Sequence, residues 1–359
     1  MRPVSEKSIS FTCSSCGDVH SPLTDRHLCN CGGTFQLRAD SVRALRDDIS
    51  LSLGESVTPL LPAGPEAYYK LDYHQPTGSF KDRGARFMID ILQELGVKKI
   101  KEDSSGNAGA ATAAYAAAAG MDCEIFLPAS ASGGKLRQLK AYGAGIERIP
   151  GERARAAEAV LERSPDRYYA SHVYNPLFYQ GVASLAEELI EQLPELGREG
   201  RGSIIVPAGN GTLLLGLASG LAEKARDPDL IAVQTSKTAP LYCRYHRETG
   251  EDLPAMIDGG KSWQEGLAEG IAIESPARLE EMLQAVREFE GKVISVNEQE
   301  TVDTLRSLHR RGIYVESTAA VAAAGFEKIR SGNIDFELRP PVVIPLTGSG
   351  LKEDRIFVE

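Results

Sequence analysis

The sequence predicts an α/β protein with two open, mostly parallel, twisted sheets and flanking helices that face a shared cleft, preceded by a short cysteine-rich segment. Short apolar runs typical of buried strands alternate with longer runs at helical spacing, and parallel strands require such crossovers. The alternation occurs twice along the 359 residues. A chain of this length is long enough for more than one domain.

The first set of alternating elements follows residue 84. Apolar residues at helical spacing from Phe87 to Leu95 predict a helix that ends at Gly96. Val97 to Glu102 has the pattern of a strand, Ala108 to Ala119 that of a tightly packed helix, and Cys123 to Pro128 that of the next strand. The alanine-rich run is too short to span a membrane.

The second set of elements repeats this order after residue 175. Ala183 to Ile190 predicts a helix, Ser203 to Pro207 a buried strand, Leu213 to Lys224 a helix and Leu230 to Gln234 a strand. Residues Ser236 to Gly260 are rich in turn formers, and we expect a long loop there.

Composition and charge limit the classes of partner. The chain is 42% hydrophobic and 25% charged with a formal net charge of -10, so it gives no electrostatic reason to expect a nucleic acid. The first thirteen residues have no continuous apolar segment and no cleavage signal, so we expect a cytoplasmic protein without membrane attachment.

Four of the six cysteines fall within the first 31 residues, which requires a local cause. Their C-x-x-C and C-x-C spacing is typical of two knuckles that hold a structural zinc, and metal binding would supply the free energy that orders such small loops. The expected ligands are Cys13, Cys16, Cys29 and Cys31. The alternatives are knuckles packed without metal, disulfides, which a cytoplasmic setting disfavours, and substitution of a ligand by His20 or His27.

Three predicted strand-to-helix junctions carry hydroxyls, amides and glycines. At residues 104–109 (S-S-G-N-A-G), the side chains either cap a helix or help bind a carboxylate. At residues 206–212 (V-P-A-G-N-G-T), a glycine-flanked loop can hold phosphate, although it matches neither the Rossmann nor the P-loop fingerprint. At residues 344–352, a strand ends in hydroxyls and glycines, for which a plain turn is the alternative.

The segment Pro76 to Gly84 reads P-T-G-S-F-K-D-R-G. Together with the three junctions it resembles the pyridoxal-phosphate enzymes of fold type II, and in particular the threonine synthases. The resemblance covers nearly the whole chain, because Gly54 to Leu60 is similar to the entry segment of that family and Gly312 to Glu316 to its late strand. The cysteine knuckles also resemble those that precede many threonine synthases, as a zinc-ribbon-like segment.

The resemblance implies a cofactor cleft that holds pyridoxal 5'-phosphate, with zinc as a structural metal. Lys81 would be the catalytic residue, forming the imine and moving the proton at Cα, since a partly buried amine loses its proton more easily. Thr347 would give the ring nitrogen a neutral partner, which favours elimination and replacement over transamination. The implied cofactor-binding residues are Lys81, Asn107, Gly209, Asn210, Gly211, Thr212 and Thr347. The implied substrate-binding residues are Thr77, Ser104 and Ser105, while Asp82 and Arg83 would form structural ion pairs.

The resemblance further implies a homodimer of three-part chains. We expect knuckles at 1–40, a large cofactor-binding domain at 41–84 and 178–359, and a small mobile domain at 85–177. The implied reaction on an amino-acid substrate converts O-phosphohomoserine to threonine by γ-elimination and β-addition of water.

One position departs from the family pattern. Threonine synthases commonly show N-P-x-R-x-x-G where residues 175–181 read N-P-L-F-Y-Q-G, so Phe178 stands in place of an arginine. A β-elimination or β-replacement enzyme therefore stays open, either a serine or threonine dehydratase or a cysteate or cysteine synthase-like enzyme. A third possibility, a zinc-ribbon binding module on a catalytically idle scaffold, is disfavoured by the intact lysine, hydroxyl and glycine elements.

Overall fold

The computed structural model describes residues 8–104, 106–131, 134–151, 153–249 and 266–353. The chain divides into two compact units. The first unit comprises Met1–Ser56 and Gln75–Ser184, and the second comprises Val57–His74 and Leu185–Glu359. The three-part division at 1–40, 41–84 with 178–359, and 85–177 stays a prediction.

The elements alternate along the chain as the sequence predicts. The described strands are β1 Ile9–Cys13, β2 Val19–His20, β3 Phe35–Ala39, β4 Leu60–Gly64, β5 Ala67–Lys70, β6 Lys99–Glu102, β7 Asp122–Pro128, β8 Gly145–Ile149, β9 Tyr168–Tyr169, β10 Ser203–Pro207, β11 Asp229–Thr235, β12 Val293–Val296 and β13 Val342–Pro345. The described α-helices are α1 Val42–Asp47, α2 Lys81–Glu94, α3 Asn107–Ala118, α4 Gly134–Ala141, α5 Arg153–Glu162, α6 Pro176–Val182, α7 Ser184–Gln192, α8 Thr212–Glu223, α9 Pro240–Thr249, α10 Leu279–Glu288, α11 Glu298–Arg310 and α12 Ser317–Arg330. Short 3₁₀ helices lie at Asp72–His74, Glu269–Ile271 and Gly350–Lys352.

The described residues of the first unit form two sheets. An antiparallel sheet of order β2-β1-β3 lies near the N-terminus, and a parallel sheet of order β8-β7-β6-β9 follows. The helices α2, α3 and α6 bury most of their residues in the same hydrophobic core as β6 and β7. The alanine-rich sequence of α3 allows this, because small side chains let neighbouring elements approach closely.

The second unit is built on a six-stranded sheet of order β12-β11-β10-β13-β5-β4. Five strands run parallel, and the edge strand β4 pairs antiparallel to β5 with a register shift between Pro62 and Gly64. The fully buried Lys70 on β5 is paired with Glu188 and donates to the carbonyl of Thr58 at 2.7 Å and to the side chain of Gln192 at 2.6 Å. A buried ammonium is tolerated because its donors are satisfied in this way.

The α/β class, with parallel and mixed sheets and flanking helices, is confirmed. The helix predicted to end at Gly96 is α2, and Gly96 adopts a φ of 84° that favours glycine. The strand predicted at Ser203 to Pro207 is β10. The segment predicted as one helix from Ala183 to Ile190 corresponds to α7, which begins one residue later. Ala183 is the C-cap of the preceding helix α6.

The long loop expected at Ser236 to Gly260 is wrong in its described part, because α9 occupies Pro240–Thr249. Turn residues precede this helix, and Pro240 at its first position fits a helix start as well as a loop. One side of α9 is buried, and it carries Leu241, Cys243 and His246. Residues 250–260 lie outside the described part of the chain.

Among the described residues, no helix combines the length and the apolar character needed to cross a membrane.

Candidate functional site

Lys81 is the first residue of α2 in the first unit, and its side chain is half-buried. Its Nζ lies 4.6 Å from the ring centroid of Phe80 and 5.7 Å from that of Phe178. Two aromatic faces therefore border the amine, and they limit the positions that its flexible side chain can take. The arrangement suits an amine that must present its nitrogen in one direction.

The turn before Lys81 is held by the residue that follows it. Asp82 is fully buried and accepts a hydrogen bond from the Thr77 backbone N–H at 2.6 Å and another from the Thr77 hydroxyl. Gly78 completes the turn with a φ of 87°, and its N–H donates to the Gln75 carbonyl at 2.8 Å. Because the Thr77 hydroxyl donates its proton to Asp82, its part in substrate binding stays a prediction.

Ser104 follows β6, and its hydroxyl accepts from the Gly106 N–H at 3.3 Å. Asn107 opens α3, but the N-cap is Gly106 and makes no side-chain capping bond. The expectation that a serine or asparagine caps this helix is therefore not met in the described chain, and the N-terminus of a helix is the end that favours an anion. A Cβ on Gly109 would overlap the carbonyl oxygen of Ser104, so glycine is required where the loop folds onto the helix. Ser105 lies outside the described residues.

A buried acid and a buried histidine lie in the same unit, and the sequence alone did not point to them. The His172 Nδ1 is 2.6 Å from Oε1 of Glu102, the last residue of β6. Burial raises the pKa of Glu102 to about 8, although the positive charge on Lys81 opposes the shift. Burial also lowers the pKa of His172 to about 3, and the charge on Lys81 adds to that effect. The signal in the sequence was the acidic pair Glu102-Asp103 at the end of an apolar strand.

Phe178 connects these groups within the first unit. Its ring is fully buried on α6, 6.0 Å from the His172 ring and 5.7 Å from the Lys81 Nζ. Asn175 caps α6 by accepting from the Leu177 N–H at 3.0 Å. Phe178, at the position where threonine synthases commonly have an arginine, is therefore a buried apolar residue of the packed helix α6.

The glycine-flanked loop in the second unit lies between β10 and α8, as predicted. Gly211 is the N-cap of α8 with a φ of 85° and makes no side-chain capping bond, and the N-terminus of a helix favours an anion. A Cβ on Gly209 would come within 2.9 Å of the Ile271 Cα, and one on Gly211 within 2.6 Å of the Met282 Sδ. Asn210 lies between these glycines, and Thr212 opens the helix.

Thr347 follows β13 in the second unit and is 1% exposed. Its Oγ1 is buried and has no hydrogen-bond partner among the described residues. A buried hydroxyl without a partner is costly, so this atom calls for a ligand group with which it can hydrogen-bond. A pyridine nitrogen is such a group.

The four N-terminal thiols form one cluster. The sulfur atoms of Cys13, Cys16, Cys29 and Cys31 all lie within 4.8 Å of one another, and all six cysteines of the chain are free thiols. The disulfide alternative is therefore not seen. His20 belongs to a second group, with Asp18 and Cys29. His27 instead packs edge-on against the ring of Tyr174 at 4.9 Å.

The chain is similar to known proteins over most of its length. A family model described as "Pyridoxal-phosphate dependent enzyme" matches residues 51–348. A threonine synthase of Methanocaldococcus jannaschii is 27% identical, over 95% of this chain and 92% of the relative. A threonine synthase of Halalkalibacterium halodurans is 30% identical, over 84% of each chain. The solved serine racemase of Dictyostelium discoideum has a TM-score of 0.70 at 22% identity, covering 86% of this chain and 96% of that one, which shows a common fold.

Proposed function

Because this chain belongs to the pyridoxal-phosphate dependent enzyme family, we propose that it is a lyase of the threonine synthase type. It would convert O-phosphohomoserine to threonine by γ-elimination and β-addition of water. The observation that carries the proposal is the half-buried Lys81 at the start of α2, within the unbroken segment from Pro76 to Gly84. The rings of Phe80 and Phe178 border its amine. The relatives named threonine synthase support the choice of substrate.

The residues present fit pyridoxal phosphate. Gly209 and Gly211 leave no room for a Cβ, and the uncapped start of α8 offers N–H groups to a phosphate. Asn210 and Thr212 would complete the phosphate contacts. The unpartnered Thr347 hydroxyl would bond the ring nitrogen. When bound, the cofactor supplies an electron sink that stabilises negative charge at the substrate Cα.

The chain's own residues would then divide the remaining work. Lys81 would hold the cofactor covalently and move the proton at Cα. Asn107 would orient the ring through its phenolic oxygen, while Ser104 and Ser105 would hold the substrate carboxylate. Thr77 would also bind the substrate. Thr347 is a neutral partner, so it leaves the ring a moderate electron sink, which suits elimination and replacement better than transamination.

Trapping with borohydride tests the assignment of Lys81. Purified protein should absorb in the violet region, and borohydride should fix the cofactor covalently to the chain. Lys81→Ala should abolish the adduct, whereas the control Lys99→Ala, which changes a half-exposed lysine on β6, should keep it. A colourless wild-type protein that ignores added pyridoxal phosphate contradicts the proposal.

The buried ring of Phe178 favours a second candidate, a β-elimination or β-replacement enzyme such as a serine or threonine dehydratase or a cysteate or cysteine synthase-like enzyme. An apolar ring offers no charge to a substrate phosphate. The run that carries Lys135, Arg137 and Lys140 would supply cations instead. Of these three residues, Arg137 and Lys140 are exposed on α4. Incubation with O-phosphohomoserine, serine or threonine, followed by assays for phosphate, threonine and ammonia, separates the two candidates. Ammonia without phosphate would favour the second.

Several finer features belong to the same proposal. We propose that Cys13, Cys16, Cys29 and Cys31 bind a structural zinc, since their sulfur atoms are close enough to share one ion. A site of four thiolates needs reduced cysteines, which supports a cytoplasmic location. The family resemblance supports a homodimer, a role in amino-acid biosynthesis, and a small mobile domain at 85–177 beside a large cofactor-binding domain at 41–84 and 178–359.

A further inference from the structure

Glu102 and His172 are joined by a hydrogen bond in a fully enclosed position. Oε1 of Glu102 lies 2.6 Å from Nδ1 of His172, and Glu102 is 0% exposed. The second carboxyl oxygen, Oε2, is buried and has no hydrogen-bond partner among the described residues. A carboxylate in this position would hold half of its charge on an unsolvated atom, whereas a carboxylic acid would not.

The shared proton therefore has a defined place. With Glu102 protonated, the acid proton would lie between Oε1 and Nδ1, with Glu102 donating and the neutral His172 accepting, and the His172 Nε2 would carry the ring proton. The pKa shifts of the two groups agree, because burial disfavours the charged form of each.

The pair lies within the field of Lys81. Phe178 lies near both His172 and Lys81. The centroid of its ring is 6.0 Å from that of the His172 ring and 5.7 Å from the Lys81 Nζ. The lysine charge acts on both Glu102 and His172. The other titratable groups that face the pair from neighbouring elements are Asp103 after β6, Cys123 on β7, Tyr169 on β9 and Arg153 on α5.

Tyr169 and Asp103 bond to each other at 2.7 Å, so they do not take the proton of Glu102. Burial raises the pKa of Asp103, and the neighbouring Glu102 charge adds to the shift.

We propose that Glu102 and His172 form a proton-sharing pair that sets how tightly the Lys81 nitrogen holds its proton. While the pair is neutral, Glu102 contributes no negative charge that opposes loss of the lysine proton. When Glu102 releases its proton to solvent as the pH rises, it becomes a carboxylate, and its negative charge strengthens the hold of the lysine on its proton. Both are positioning residues, and this role rests on the proposed function of Lys81.

The absorption of cofactor-loaded protein, titrated from about pH 6 to about pH 10, tests the proposal. The wild-type curve should show two steps, because Glu102 ionises while the Lys81 nitrogen titrates. Glu102→Gln should give one step, with its midpoint lower by about one pH unit. The matched control Glu124→Gln removes a half-buried carboxylate from the neighbouring strand β7 and should leave the wild-type curve unchanged. Superimposable wild-type and Glu102→Gln curves overturn the proposal.

Infrared difference spectra of cofactor-free protein give a second measure. At neutral pH, the wild type should show the carbonyl band of a protonated carboxylic acid that Glu102→Gln lacks. His172→Phe should shift this band to higher frequency, because the acid proton loses its acceptor. This variant tests the pair even if Glu102→Gln does not fold. An unshifted band in His172→Phe, or no acid band in the wild type, overturns the pair.

The outcome for Lys81 can be told apart from the outcome for the pair. A wild-type protein without a borohydride-fixed adduct at Lys81 overturns the proposed function and this inference together. An adduct at Lys81 with a titration curve that Glu102→Gln does not change overturns the inference alone.

Discussion

The ring of Phe178 fills the space that a side chain on Gly84 would occupy, since a Cβ built on Gly84 would lie 2.5 Å from Cδ1 of that ring. The same helices meet again at Gly181, where a Cβ would lie 2.5 Å from the Arg83 carbonyl oxygen. The helix that begins at Lys81 is thus fixed in place by backbone-to-ring and backbone-to-backbone contacts with α6.

Gly84→Ala should therefore lower the free energy of unfolding by about 1–3 kcal/mol, the usual cost of overpacking. The sign is informative, because the same change in an unobstructed helix raises stability by up to about 1 kcal/mol. Urea unfolding measures the effect. In combination with Phe178→Leu, the loss should be smaller than the sum of the single losses, since the smaller side chain makes room.

Phe178→Arg should destabilise the protein without improving the use of O-phosphohomoserine. The ring is 0% exposed, so the variant would bury a cation without a partner. Thermal unfolding and phosphate release are the measurements, with Phe178→Leu as the control that keeps the site apolar. A stable arginine variant that releases phosphate faster would show that this position faces the substrate.

Thr347→Val should weaken cofactor binding while leaving the cofactor-free fold intact. The Thr347 hydroxyl has no hydrogen-bond partner among the described residues that the change would remove. The free energy of unfolding of the cofactor-free valine variant should therefore equal that of the wild type or be higher, by up to about 1 kcal/mol. Equilibrium dialysis with pyridoxal phosphate should show weaker retention for valine and near wild-type retention for Thr347→Ser. A valine variant that unfolds more easily without cofactor would mean that the hydroxyl has a structural partner.

The buried pair should also shape how stability depends on pH. The pKa of Glu102 is about 8 in the folded protein against an ordinary value of 4.5, so between these values only the folded state holds the proton and stability falls as the pH rises. The pKa of His172 is about 3 against 6.5, so between these values only the unfolded state holds the proton and stability rises with pH.

The two contributions cancel from about pH 4.5 to 6.5, and the loss due to Glu102 stands alone from about 6.5 to 8, with a slope of up to about 1.4 kcal/mol per pH unit. Glu102→Gln should remove the loss of stability above about pH 6.5. At lower pH, the variant should show the rise in stability with pH that His172 causes and that Glu102 cancels in the wild type. Urea unfolding of both proteins across this range measures the difference, with Glu124→Gln as the control. Parallel profiles for wild type and Glu102→Gln would contradict the assignment.

The thiol cluster should release zinc when one exposed ligand is changed. Cys16→Ser alters an exposed position, so it should lower the zinc content and the melting temperature through the lost metal and not through lost packing. Cys243→Ser, at a buried cysteine on α9 outside the cluster, should leave the zinc content unchanged. Metal analysis of protein never exposed to chelator is the measurement, and a wild type without zinc would decide for knuckles packed without metal.

The sequence predicted the parts of the fold that depend on local pattern. Apolar periodicity and a terminal glycine located the end of α2, and a continuous apolar run located β10. The helix α9 was missed because its first residue is a proline in a stretch rich in turn formers, and its buried side was set by contacts with other elements. Local composition does not record such contacts.

The candidate site divides in the same way. Lys81, the glycine loop and Thr347 stand in short motifs whose residue types suggest their chemistry. Glu102 and His172 are 70 residues apart, and they meet because β6 and β9 are adjacent parallel strands whose carboxyl ends lie at one edge of the sheet. Neither residue has a local signal strong enough to predict its partner.

The antiparallel edge strand β4 has a consequence for solubility. Exposed sheet edges invite another chain to add a strand, which leads to polymerisation and amyloid-like aggregation. Pro62 cannot donate a backbone hydrogen bond, and the register shift between Pro62 and Gly64 interrupts the regular ladder that an incoming strand would need. This border of the six-stranded sheet therefore carries its own protection against growth into fibrils, and Pro62 is the position at which a substitution would remove it.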